Sequence, residues 1–252
     1  MNRRMTRIAL AVGATLVAGL VPATASADTA TIGSTLSHPS TPSFGSDLIS
    51  VQAGSSSGLS PFPFLSPANG TVTSWSVRTG DAGAVYGLRV LHPNGGLSYT
   101  STGASALTPP TPSATDATYH FATSLPIKQG DAIGISNGPS GHDVPQFTTT
   151  SQSDVLEYAP IFPDGTTATF INFGGLHELL LQATVKFCNV PNVHKQKKVN
   201  AKTAITNGDC GVKVKKKVTH KKKFRGKVLK QKVAPGTTGT PGLVVPIVIG
   251  EK

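Results

Sequence analysis

The chain has 252 residues, with 27 Gly, 19 Pro, only 14% charged side chains and a formal net charge of +11. Scarce straight-chain helix formers beside abundant Gly, Pro, Ser and Thr exclude an all-helical fold and favour short strands joined by turns. The charge is uneven: residues 28–187 carry 4 basic and 10 acidic side chains, whereas residues 188–252 carry 16 basic and 2 acidic. Two oppositely charged pieces that meet at Phe187 and Cys188 predict two domains with different partners.

At the N-terminus, Arg3, Arg4 and Arg7 precede an apolar run from Ile8 to Val21, and Ala25-Ser26-Ala27 puts small residues before Asp28. This pattern predicts a signal peptide over residues 1–27. A retained membrane anchor is the alternative, but the run is short for a bilayer span. No cysteine lies near the cut, which excludes a lipid-modified N-terminus. The later apolar stretch Gly242–Gly250 contains Pro246 and reads as a strand, so no transmembrane segment is expected after cleavage. The mature product is expected to be soluble or held to the envelope non-covalently.

Residues 28–187 are predicted to form a β-sandwich of jelly-roll type. Expected strands in chain order are 48–51, 73–77, 85–91, 118–122, 132–136, 155–158 and 179–187. In the third, Tyr86, Leu88 and Val90 share a face opposite Arg89. Thr73, Trp75 and Val77 are expected on one face, and Leu179, Leu181, Ala183, Val185 and Phe187 alternate with Leu180, Gln182, Thr184 and Lys186. Asn69-Gly70, Gly80-Asp81, Pro93-Asn94-Gly95-Gly96, Gly130-Asp131 and Asp164-Gly165 supply turns. Residues 33–46, 54–67 and 102–117 read as extended loops.

Little in this domain points to chemistry. Gly54-Ser55-Ser56-Ser57-Gly58 matches the serine-hydrolase G-x-S-x-G pattern, but Pro61 and Pro63 forbid the helix that motif requires, so it reads as a loop. The histidines lack metal-ligand spacing, and Gly141-His142-Asp143 reads as a surface turn. Asp81 and Asp131 each follow a glycine and are assigned to turns rather than to a catalytic carboxylate pair. Trp75 shares its face with Val77 and is expected in the core rather than as a sugar-stacking platform. No catalytic residue, metal or cofactor is assigned.

The basic end, residues 188–252, is predicted to form a separate module: a short strand at Val190-Pro191-Asn192-Val193, a helix from about Lys197 to Asn207-Gly208, then three strands around Val212–Lys215, Lys227–Lys232 and Leu243–Ile249. Ala201, Ala204 and Ile205 supply the apolar helix face, and Gly208 the C-cap. That order predicts one helix laid on a three-stranded sheet. Two cysteines in an exported chain pair as a structural disulfide, Cys188–Cys210, which stabilises a small core by about 3 kcal/mol; the spacing is not that of a redox C-x-x-C pair.

Val190-Pro191-Asn192-Val193, the helix closing at Gly208, the strand with Val228 and Gln231, Pro235-Gly236 and the final apolar strand together resemble a PASTA domain. The resemblance covers the last quarter of the chain. It implies a compact α/β fold and a role around the bacterial cell wall, commonly recognition of peptidoglycan fragments. The segment 236–242 is looser than the family's tight turn, and the lysine density is higher. Lys213, Lys215, Lys217, Lys222 and Arg225 are the candidate binding residues, for peptidoglycan or an anionic wall polymer. Nucleic acid is not the expected partner, because only Phe224 stands among the lysines where base stacking needs interleaved aromatics. A well-solvated lysine face is the plain alternative.

The expectation is therefore a secreted, non-enzymatic, wall-associated protein that displays a sandwich. The rivals are a sandwich hydrolase or lyase acting on wall glycan, and an extracellular structural or adhesion protein.

Overall fold

A computed structural model describes residues 28–252 except 42–44, 46, 54–62, 82, 109–115, 140–142, 150–153 and 173–175. The expected signal peptide, Gly54–Gly58 and Gly141-His142 lie outside the described residues.

The first sheet of the sandwich comprises β1 (Asp28–Gly33), β3 (Gly70–Thr79), β6 (Ala117–Ile127) and β13 (Leu181–Asn189), in the order β1-β13-β3-β6. The second comprises β2 (Leu48–Ala53), β4 (Tyr86–Gly95), β5 (Ser98–Ala104), β7 (Ala132–Asn137), β9 (Asp154–Tyr158), β10 (Thr167–Thr169) and β11 (Ile171–Asn172), in the order β10-β5-β4-β7-β2-β9-β11. Strands β8 (Gln146–Thr148) and β12 (His177–Leu179) form a separate antiparallel pair. With β13 taken as the eighth strand of the framework, 1-8-3-6 faces 5-4-7-2, the double Greek key of a jelly roll. Strands β8 to β12 are then an insertion between its seventh and eighth strands.

Period-two alternation builds the core. Val77 of β3, Leu88 of β4, Ile135 of β7 and Val185 of β13 are fully buried between the two sheets. A second cluster, including Ile49, Val51, Leu156 and Phe170, lies on the other face of the seven-stranded sheet. That sheet is covered on both faces, which explains why Arg89, opposite Leu88 in the alternation, is buried as well. For the same kind of reason Leu180, expected opposite the buried face, is itself buried where the chain breaks between β12 and β13.

Two expectations about this domain are corrected. Thr73 does not share the buried face of Trp75: the register of β3 shifts against both neighbours at that residue, so Val72 and Trp75 point inward and Thr73 is the extra residue of a bulge. Residues 102–104 are not loop but the end of β5, paired with β4. Trp75 is 2% exposed and stacks on Phe121 at 4.3 Å, as a core residue.

The C-terminal module has its own core. Helix α1 (Lys198–Asn207) lays Ala201 and Ile205 against a sheet ordered β14-β17-β15. Here β14 (Gly211–Val218) is parallel to β17 (Val244–Glu251), and β15 (Val228–Gln231) is antiparallel to it. The helix ends at Gly208 as expected, but the left-handed residue is Asp209 (φ 53°). The Cys188–Cys210 disulfide is formed. Residues 190–193 are not a strand: Val190 and Val193 are buried, and the pairing falls instead on Cys188 and Asn189, against β16 (Thr238–Gly239). Strand β13 thus runs from sandwich into module, with Phe187 packed on the sandwich core and Cys188 in the module core. Lys186 and Asp209 form an ion pair of 2.9 Å across the junction, and Asn189 donates to the Asp28 carboxylate.

Candidate functional site: a lysine-rimmed sheet face

The parallel register of β14 on β17 sorts the module's residues into two faces. Val212 lies beside Val245 and Val214 beside Ile247, on the side that α1 covers. Lys213 lies beside Pro246, Lys215 beside Val248 and Lys217 beside Gly250, on the opposite side. At the other edge Lys230 pairs with Val248, and the Lys232 amide donates to the Pro246 carbonyl at 2.9 Å. The bulge at Leu229 gives β15 this phase, with Val228 and Gln231 turned toward the helix. The Gln231 side chain there donates to Pro191 and Val233 carbonyls and accepts from the Val193 amide, which fastens the irregular segment 190–193 to the sheet.

The open face is therefore an apolar strip along β17 flanked by lysines on both edges. Lys213, Lys215 and Lys232 rim a depression of about 280 Å³ whose floor includes Pro246 and Val248. All five lysines of this face are exposed, as is Val244 at the start of the strip. The module's two acidic residues are engaged elsewhere, Asp209 with Lys186 and Glu251 with Lys216 at 2.8 Å.

The five candidate residues read from the sequence do not form one patch. Lys213, Lys215 and Lys217 lie along this face. Arg225 bridges to Gly250 from the other side of β17 and lines a second depression, of about 420 Å³, with Lys198 and Lys252. Gly250 is required at this crossing, because a Cβ there would lie 2.5 Å from the Phe224 carbonyl oxygen. Lys222 is exposed in a 3-10 turn, Lys222–Phe224. Sequence reading missed Lys230, Lys232 and the Pro246/Val248 floor. The alternation Val244, Pro246, Val248 against Val245, Ile247, Ile249 was available as a signal.

In the sandwich, polar pairs are dispersed. Asp131 is buried, accepts the Lys128 amide at 2.9 Å and lies 2.7 Å from His92 Nδ1, so it holds its turn. Asp81 accepts the Asp143 amide at 2.7 Å. Glu178, fully buried, meets His38 Nδ1 at 3.1 Å, and His38 stacks on Phe147. Ser76 and His120 form a cross-strand pair at 2.7 Å. Arg89 donates to Ser136, Ser101 and Asp164, and burial lowers its pKa despite the nearby carboxylate. Among the described residues no group of three His, Cys, Asp or Glu side chains is placed to hold a metal ion.

A cavity of about 660 Å³ lies at the junction and is lined by Asn69, Thr102 and Lys128 from the sandwich and Thr238, Thr240 and Leu243 from the module. No described helix is long and apolar enough to cross a membrane. Comparison with protein-family models, with curated proteins and with solved structures finds no match for this chain.

Proposed function

We propose that the chain is an exported, non-enzymatic envelope protein whose C-terminal module binds peptidoglycan or an anionic wall polymer and thereby displays the jelly-roll domain at the wall. The observation that carries this reading is the module's charge: 16 basic residues against 2 acidic ones, with both acids engaged in ion pairs. A disulfide-closed fold holds part of that charge outward on a sheet, where it supplies long-range attraction to a polyanion. The order of elements, one helix on a three-stranded sheet with Gln231 fastening the Pro191 segment, is consistent with the PASTA-like reading. The disulfide suits an oxidising compartment outside the cytosol.

Fractionation of a producing cell tests the proposal. The exported chain is expected in the sacculus fraction after medium and membranes are removed. Recovery in the medium alone contradicts it.

A further inference from the structure

The open face of the module's sheet has one side that folding leaves uncovered. Helix α1 covers Val245, Ile247 and Ile249, while Pro246 and Val248 look outward between two rows of lysine. Alternate residues on β14 are spaced about 6.6 Å apart, and the two lysine rows are separated by two strand spacings, about 10 Å. Such a track admits one slim chain lying along β17, with anionic groups reached alternately from either rim. Its floor meets the chain with C–H surface. No aromatic side chain stands on β14, β15 or β17 to stack a base or a pyranose ring, which disfavours nucleic acid and ring-built polyanions.

The sandwich of a second copy is a poorer occupant. Of its ten acidic side chains, Asp28, Asp81, Asp116, Asp131, Asp164 and Glu178 are engaged in contacts of their own domain or the junction. By contrast, none of the five lysines on the open face has an ion-pair partner among the described residues. That charge is open to a ligand from outside the chain.

Resting on the wall-binding reading above, we propose that this face is the binding site and that it takes a linear, phosphodiester-linked polyol. Phosphates pair with Lys213, Lys215 and Lys217 on one rim and with Lys230 and Lys232 on the other. The acyclic carbons between phosphates lie on Pro246 and Val248. A three-carbon polyol between successive phosphates has a repeat that matches alternate residues of an extended strand.

The test uses the whole mature chain, residues 28–252, and purified poly(glycerol phosphate) in a titration. The triple variant K213Q/K215Q/K232Q is compared with K195Q/K198Q/K202Q, which removes the same charge at and just before the helix. The first triple is expected to bind at least about tenfold more weakly than wild type, as charge-assisted hydrogen bonds to phosphate are lost. The second should stay within about twofold, the effect of screened distant charge. Equal weakening by both triples overturns the assignment to this face. Failure of the wild type to bind the polymer, with retention on sacculi stripped of anionic polymer, overturns the ligand class while leaving wall binding intact. Failure on both sinks the wall-binding reading as well.

Discussion

In the sandwich, Arg78 is tied to Asp116 at 2.6 Å, Arg89 is buried against Ser136 and Asp164, and His38 and His92 lie on buried carboxylates. In the module, Lys213, Lys215, Lys217, Lys230 and Lys232 project from a sheet into solvent. The contrast follows from size. A two-layer sandwich with apolar clusters on both faces of one sheet has interior enough to hold polar pairs that are hydrogen-bonded. A module with a single small cluster does not, so its charge stays outside and a disulfide supplements its core. Charge consumed by folding is a structural feature, whereas charge that folding leaves over is available for binding.

The largest expected effect breaks the sandwich alone. Trp75→Ala removes a ring stacked on Phe121 in the centre of the core and should cost about 3–5 kcal/mol in denaturant unfolding. A separate module transition should survive; loss of one single transition for the whole chain would show that β13 couples the two cores. The converse experiment replaces Cys188 and Cys210 by Ser, removing about 3 kcal/mol by the loop-entropy model. That loss should appear in the module's transition, and a shift of the sandwich instead would contradict separate cores.

A smaller effect sharpens the contrast in charge use. Asp131→Asn leaves its turn with a weaker acceptor for the Lys128 amide and no carboxylate for His92, an expected loss of about 1–3 kcal/mol in thermal unfolding. Neutralising Lys213 should leave the melting temperature almost unchanged, since that side chain is exposed and has no ion-pair partner among the described residues. Equal destabilisation by the two changes would erase the distinction.

The smallest effect concerns Glu157, whose pKa burial pushes upward. Its folded form therefore holds the proton more tightly than the unfolded chain, and this site loses stability as pH rises through and above the ordinary carboxylate range. Glu157→Gln should be neutral at low pH and slightly stabilising near pH 7, as measured by denaturant midpoints across pH. A variant less stable at pH 7 than at low pH, relative to wild type, would reverse that sign.

The fold was legible wherever alternation ran unbroken. Tyr86, Leu88 and Val90 and the run from Leu181 to Val185 placed two central strands, and Ala201 with Ile205 placed the helix. It was not legible where pairing is irregular. A bulge is one extra residue without a composition of its own, so alternation alone puts Thr73 on the wrong face. The end of β5, Thr102–Ala104, reads as loop, yet β4 recruits it through backbone pairing. The lysines of the candidate face are visible in the sequence as a cluster, but their division is not. Period two groups Lys213 with Lys215, while only the cross-strand register brings Lys230 and Lys232 to the same face and sends Arg225 to another.

Co-sedimentation of oxidised residues 28–252 with sacculi, intact and stripped of anionic polymer, across a salt series tests the proposed wall binding most directly. Retention on at least one of the two at salt high enough to screen loose surface charge is the predicted result. Release from both at modest salt would contradict it and reduce the lysine-rimmed face to general electrostatics.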